Sequence, residues 1–164
     1  MQFHVGDYVV HPIHGVGTIK TVSTQVFSAG QTRRYYEVAT SGPTVWVPMD
    51  EQGATVLRGV APRQVLRECR RLLSSDPVAL NKNHQLRQLE IAARLKEGSL
   101  PGLCATVRDL RARSAHTPLG AAEERMLRRL YKALCEEWAA SDGVSAPAAE
   151  HEIEALLQGG RPAA

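Results

Sequence analysis

Residues 56–73 read VLRGVAPRQVLRECRRLL, and within them the chain changes its structural grammar. Upstream of Val60 lie short runs rich in Val, Tyr, Thr, Ile and Trp, the residues that suit a pleated, half-buried surface. Downstream, Pro62 suits a first helical position, and Val65, Leu66, Cys69, Leu72 and Leu73 recur at helical spacing through Ser74. The chain therefore reads as α+β in two modules, residues 1–60 and residues 61–164.

In the first module the strand-like runs are Tyr8 to His11, Gly17 to Val22, Arg34 to Ala39 and Thr44 to Val47. Turn signals separate them at Gly6-Asp7, His14-Gly15, Ala29-Gly30 and Ser41-Gly42-Pro43. Strands recurring every 8 to 12 residues or so predict a small, strongly bent antiparallel β barrel that hides most of its own edges. Gly15-Val16-Gly17 resembles part of a nucleotide loop, but Lys20 stands where a third glycine belongs, so a tight turn between strands explains it better.

The second module reads as an all-α domain of about five helices. After the helix ending at Ser74, a second runs from about residue 80, with Leu86, Leu89, Ile91 and Leu95 as its apolar set and Gly98 as its stop. Lys82, Arg87 and Arg94 then fall on the other side. A third helix spans about 99–113 and buries Leu103, Val107 and Leu110. The fourth and longest, about 119–140, carries Met126, Leu127, Leu130, Leu134, Cys135 and Trp138 on one side. A breaker cluster precedes a short acidic helix at 148–158, and residues 159–164 form a tail.

The formal net charge of +3 hides a gradient: residues 1–60 sum to zero, 61–140 to +6 and 141–164 to −3. An all-over electrostatic coat for nucleic acid is thereby excluded, while a basic helical face in the middle stays open. Arg108, Arg111 and Arg113 crowd the last turn of the third helix. There they either complement its macrodipole, form a solvated face or contact DNA.

Catalytic and metal chemistry find no constellation. His11 and His14 supply two ligands and no suitable third, and they read as turn-structuring. Cys69, Cys104 and Cys135 are odd in number, widely spaced and on the apolar sides of helices, so they read as inert core thiols in a reducing compartment. Neither GxSxG nor HExxH occurs. No enzyme, cofactor or metal is expected. The N-terminus lacks the pattern of a secretory leader, and no apolar run approaches the ~18 residues of a membrane span. A cytoplasmic protein without a membrane partner is the expectation.

The run Phe3, Val5-Gly6-Asp7, Val9-Val10, Pro12, His14-Gly15-Val16-Gly17 resembles the opening signature of the CarD/CdnL family of bacterial transcription regulators. The resemblance continues at Tyr35-Tyr36, Val47-Pro48 and Leu57-Arg58, then at Gly98, at Val107-Arg108-Asp109-Leu110 and at Glu123 to Leu127. Its N-terminal part is shared with the RNA polymerase-interacting module of the transcription-repair coupling factor.

The resemblance implies a Tudor/SH3-like module, residues 1–60, docking on the RNA polymerase β subunit. It also implies a helical DNA-contacting module, residues 61–164, at the upstream edge of the promoter bubble, nucleoid-associated through polymerase. In the family a tryptophan wedges into the distorted minor groove while arginines hold phosphates. Here His84 stands at the wedge position, with Arg87 and Arg113 at retained basic positions and Arg108 beside them as a further candidate.

Leu89 and Glu124 occupy positions that often carry lysine in relatives. On the polymerase side, family arginines align with Gln25 and Trp46; Trp46 either anchors a partner or fills the barrel, and it is exposed if Val45 and Val47 point inward. The expected protein is a monomer that modulates open-complex stability, meeting promoter DNA weakly and mainly when tethered to polymerase. The alternative is a polymerase-binding adaptor whose helical module engages another protein.

Overall fold

A computed structural model describes residues 2–159 and divides the chain into two compact units, with the boundary between Val60 and Ala61. The first is a five-stranded antiparallel sheet. Its strands are β1 (Tyr8–His11), β2 (Gly15–Val26), β3 (Thr32–Thr40), β4 (Thr44–Met49) and β5 (Arg58–Gly59), in the order β4-β3-β2-β1-β5. The sheet stays open, because β4 and β5 are edges that do not pair with each other. Closure into a barrel, expected from strand spacing, does not occur: β5 has two residues, too few to bridge to β4.

One face of the sheet buries Phe3, Val9, Ile19, Tyr36, Val38, Val47 and Met49, with Leu57 beside them. Tyr36 adds a polar tie, its hydroxyl accepting a hydrogen bond from the Phe3 amide at 3.1 Å. The turn between β1 and β2 lies at Pro12–His14, one residue earlier than the glycines suggest. There the His11 Nδ1 accepts from the amides of Ile13 and His14 at 3.0 and 3.2 Å. Gly17 sits inside β2 for a different reason. A Cβ there would collide with Val38 Cγ1 on the neighbouring strand.

A β-bulge at Lys20 changes the reading of β2. Ile19 pairs with Val38 on the buried face, yet Thr21 pairs with Glu37 on the outer one. Simple alternation would send Thr21, Ser23 and Gln25 to the same face as Ile19; the extra residue sends them to the opposite face.

The second unit opens with a turn of 3₁₀ helix, Arg63–Val65, and continues through α1 (Leu66–Ser74), α2 (His84–Lys96), α3 (Leu100–His116), α4 (Ala121–Asp142) and α5 (Ala146–Gly159). Pro62 lies just outside the helical turn, with an extended ψ of 152°. The core gathers Leu66, Cys69 and Leu73 of α1, Cys104, Val107 and Leu110 of α3, Leu130, Leu134 and Trp138 of α4, and Ile153 and Leu157 of α5. No helix is long and apolar enough among the described residues to cross a membrane.

Two sequence expectations for this unit are corrected. The second helix begins at His84 rather than near residue 80. Asn83 caps it by accepting from the Leu86 amide at 3.1 Å, and the preceding loop spends its backbone groups on side chains: the Val78 amide on Asp109 and the Asn81 amide on Glu90. The inward face of α2 is also different. Arg87 and Ile91 are buried, whereas Leu86 and Leu89 are exposed. Periodicity alone cannot foresee this, because an arginine enters a core only when a carboxylate waits there.

Candidate polymerase and nucleic-acid interfaces

In the sheet, Trp46 lies opposite Glu37, which lies opposite Thr21; Tyr35 lies between Pro48 and Ser23; Arg33 lies opposite Gln25. These rows share the outer face, since Val47 and Met49 point into the core and Val45 packs against it. Trp46 is 50% exposed, and Gln25 and Arg33 are exposed with it. The two sequence candidates therefore lie on the same face, in separate rows, and the bulge at Lys20 is the reason. Thr21 donates to Glu37 at 2.7 Å, which holds the carboxylate beside the indole. Arg33 was not a candidate from sequence. Only the strand register shows that an arginine faces Gln25.

The helical candidates separate into distinct settings. His84 opens α2 and is 66% exposed, with Nδ1 3.3 Å from Arg87 Nη2 and 3.5 Å from Glu123 Oε1. A neutral Nδ1 accepts from the guanidinium; a protonated one pairs with the carboxylate. Arg87 is only 5% exposed. Its Nε and Nη2 reach Glu123 at 2.8 and 2.7 Å, and its Nη1 donates to the carbonyls of Asn81 and Lys82 at 2.9 and 3.1 Å. One buried arginine thus fastens α2 to α4 and fixes the loop that presents His84.

Arg108, 8% exposed, occupies another cluster. It donates to Asp109 at 2.9 Å and, at the end of α1, to the Leu72 carbonyl at 3.2 Å and the Ser75 hydroxyl at 2.8 Å. Asp109 is wholly buried and also receives Arg94 at 2.6 Å and the Val78 amide at 2.9 Å. The recognisable run Val107 to Leu110 is therefore a structural knot joining α1, α2 and α3. Arg113, further along α3, is half-buried, and its Nε is buried without a hydrogen-bond partner among the described residues.

Other arginines of this unit are likewise bound internally. Arg111 holds Glu154 at 2.7 Å, and Arg70 holds Glu152 at 2.6 Å while lying over the Trp138 ring at 5.5 Å. Six of the twelve arginines between residues 61 and 140 thus hold carboxylates and serve cohesion.

The thiols are buried. A hydrogen bond with Cys69, then burial, pushes the Cys104 thiol well up, while Cys69 is lowered by the same bond. Burial pushes Cys135 up to about 11. His11 is held below its ordinary value by burial and by the nearby His14. Among the described residues, no group of three or more His, Cys, Asp or Glu side chains is disposed to hold a metal ion.

Comparison with known proteins gives the context for both surfaces. The family model described as "CarD-like/TRCF RID domain" matches residues 3–61, and that described as "CarD, C-terminal domain" matches residues 68–154. A Bacillus subtilis (strain 168) protein named "Putative transcription factor YdeB" is 24% identical over 146 residues, covering 88% of this chain and 95% of that protein. An exposed sheet face followed by an ion-paired helical unit is thus matched on both sides of the Val60/Ala61 boundary, and the chain belongs to the CarD-like family, which assigns it a role in transcription.

Proposed function

We propose that the chain is a non-catalytic transcription regulator that binds the β subunit of RNA polymerase through the outer face of β2, β3 and β4 and adjusts the stability of the promoter open complex through its helical unit. The observation that carries this reading is Trp46, a large aromatic left half-exposed on a face shared with Gln25. An exposed indole flanked by polar groups is the kind of anchor that dominates a protein interface. His84 is the DNA-edge residue, acting with Arg113, whereas Arg87 and Arg108 support it from within by fixing the loop and helix that carry it. An imidazole presents less apolar area than an indole, so the wedge is weak and works mainly when polymerase supplies proximity. The regulator acts in the cytoplasm, as a monomer, at polymerase-bound promoters.

The test is the lifetime of an open complex on a purified promoter. His84→Trp is expected to lengthen it, and an unchanged lifetime refutes the proposed location. A second reading, an adaptor whose helical unit meets another protein, is favoured by the exposure of Leu86 and Leu89 on α2, where phosphate contact would call for cations. Salt separates the two: DNA affinity that falls steeply with added salt supports the regulator, and no DNA binding even at low salt supports the adaptor.

A further inference from the structure

A separate cationic surface runs along α4. Arg125, Arg128, Arg129 and Lys132 stand at positions i, i+3, i+4 and i+7, and all four are exposed. At 3.6 residues per turn they centre on the line opposite Glu123, Leu130 and Leu134, the buried side of the same helix. The stripe therefore faces away from the corner where Glu123 meets His84. It spans about 10 Å, the axial rise of about three nucleotides of a duplex strand.

Three observations set this stripe apart. Among the described residues its arginines have no carboxylate partner, whereas Arg63, Arg70, Arg87, Arg94, Arg108 and Arg111 each hold one. Lys132 is paired more loosely, with Glu136 at 3.8 Å, and its own side chain is exposed. The stripe also opposes folding slightly, because like charges three and four residues apart repel along a helix. Finally, no exposed large apolar side chain of α4 lies among the four cations, so the surface lacks the anchor that a protein partner would need. Regularly spaced, repelling cations, three of them without a carboxylate partner among the described residues, and with no apolar centre, match a phosphate backbone, where charge alone supplies affinity.

We infer that the exposed face of α4 is a second phosphate track, contacting nucleic acid on the opposite side of α4 from the His84 corner. This rests on the proposal that the helical unit meets DNA. In that arrangement the wedge site registers the distorted step, and α4 supplies electrostatic affinity that Leu89 and Glu124 do not.

The experiment measures binding of the full chain to fork-junction DNA, with and without polymerase, across a salt series. Arg128→Ala with Arg129→Ala is expected to reduce the slope of log affinity against log salt by about 1.8, since each lost phosphate contact removes about 0.9. Arg128→Lys with Arg129→Lys should keep the slope. Alanine is a strong helix former, so α4 is retained, and an unchanged helical circular dichroism signal and thermal transition check this. An unchanged slope in a double-alanine variant that still binds DNA overturns the track and leaves the His84 proposal standing. Reduced polymerase affinity with an unchanged DNA slope also overturns it, and assigns the stripe to an acidic protein surface. If the unaltered protein shows no DNA binding even at low salt, the track and the DNA half of the proposed function fail together.

Discussion

His11 shows how much one side chain can decide. Its Nδ1 closes the β1–β2 turn by accepting two amides, a task that requires the unprotonated nitrogen. Burial and His14 lower its pKa, so the folded state disfavours the imidazolium relative to the unfolded chain. The stability it contributes is present above the ordinary histidine pKa of about 6.5 and is lost as the pH falls through the lowered folded value. Denaturation of the sheet unit at neutral and mildly acidic pH should show that loss. His11→Asn, whose side-chain oxygen can accept the same amides, should flatten the pH dependence while keeping the turn. Trp46 makes the complementary case. Being half-exposed, it should tolerate Trp46→Ala within about 0.5 kcal/mol of stability. The same substitution should weaken polymerase binding by 2 kcal/mol or more if it is the proposed anchor, about thirtyfold in Kd by titration.

Among the elements, α2 departs furthest from its sequence reading. Its buried contacts are Ile91 and the ion pair of Arg87 with Glu123, while two leucines face outward. Removing one partner of a buried pair strands the other charge, so Glu123→Ala should cost about 3–5 kcal/mol and loosen the loop before α2, seen as faster hydrogen exchange at residues 81–87. The outward face gives the opposite expectation. Leu89, at 67% exposure, adds little to folding, and Leu89→Lys should leave stability nearly unchanged. If α2 lies along DNA, this substitution should also steepen the salt dependence of binding by about 0.9, in the same assay that tests the α4 stripe.

For the whole molecule, the proposed division of labour predicts that the two units contribute separately. Tethering raises effective concentration without creating new contacts, so Trp46→Ala should lower DNA retention in the ternary complex with polymerase yet leave binary DNA affinity unchanged. Equal losses in both measurements would contradict independent units. Such a scheme suits a chain whose sheet unit is neutral and half of whose helical arginines between residues 61 and 140 are taken up by internal ion pairs. Strand content, the change to helices near Pro62, the buried thiols and the core of α4 were all legible in the sequence, because turn residues and hydrophobic spacing act locally. The shared face of Gln25 and Trp46 was not, since it depends on the bulge at Lys20, which shifts alternation by one residue. Nor was the burial of Arg87 and Arg108: whether an arginine faces water or the interior depends on partners far along the chain, at the Glu123 carboxylate for one and, beyond its neighbour Asp109, at the Leu72 carbonyl and Ser75 hydroxyl for the other. The sequence by itself determined which elements form and which family they serve. The tertiary structure alone decided which of their charges remain free to meet a partner, because electrostatic pairing is set by proximity in space.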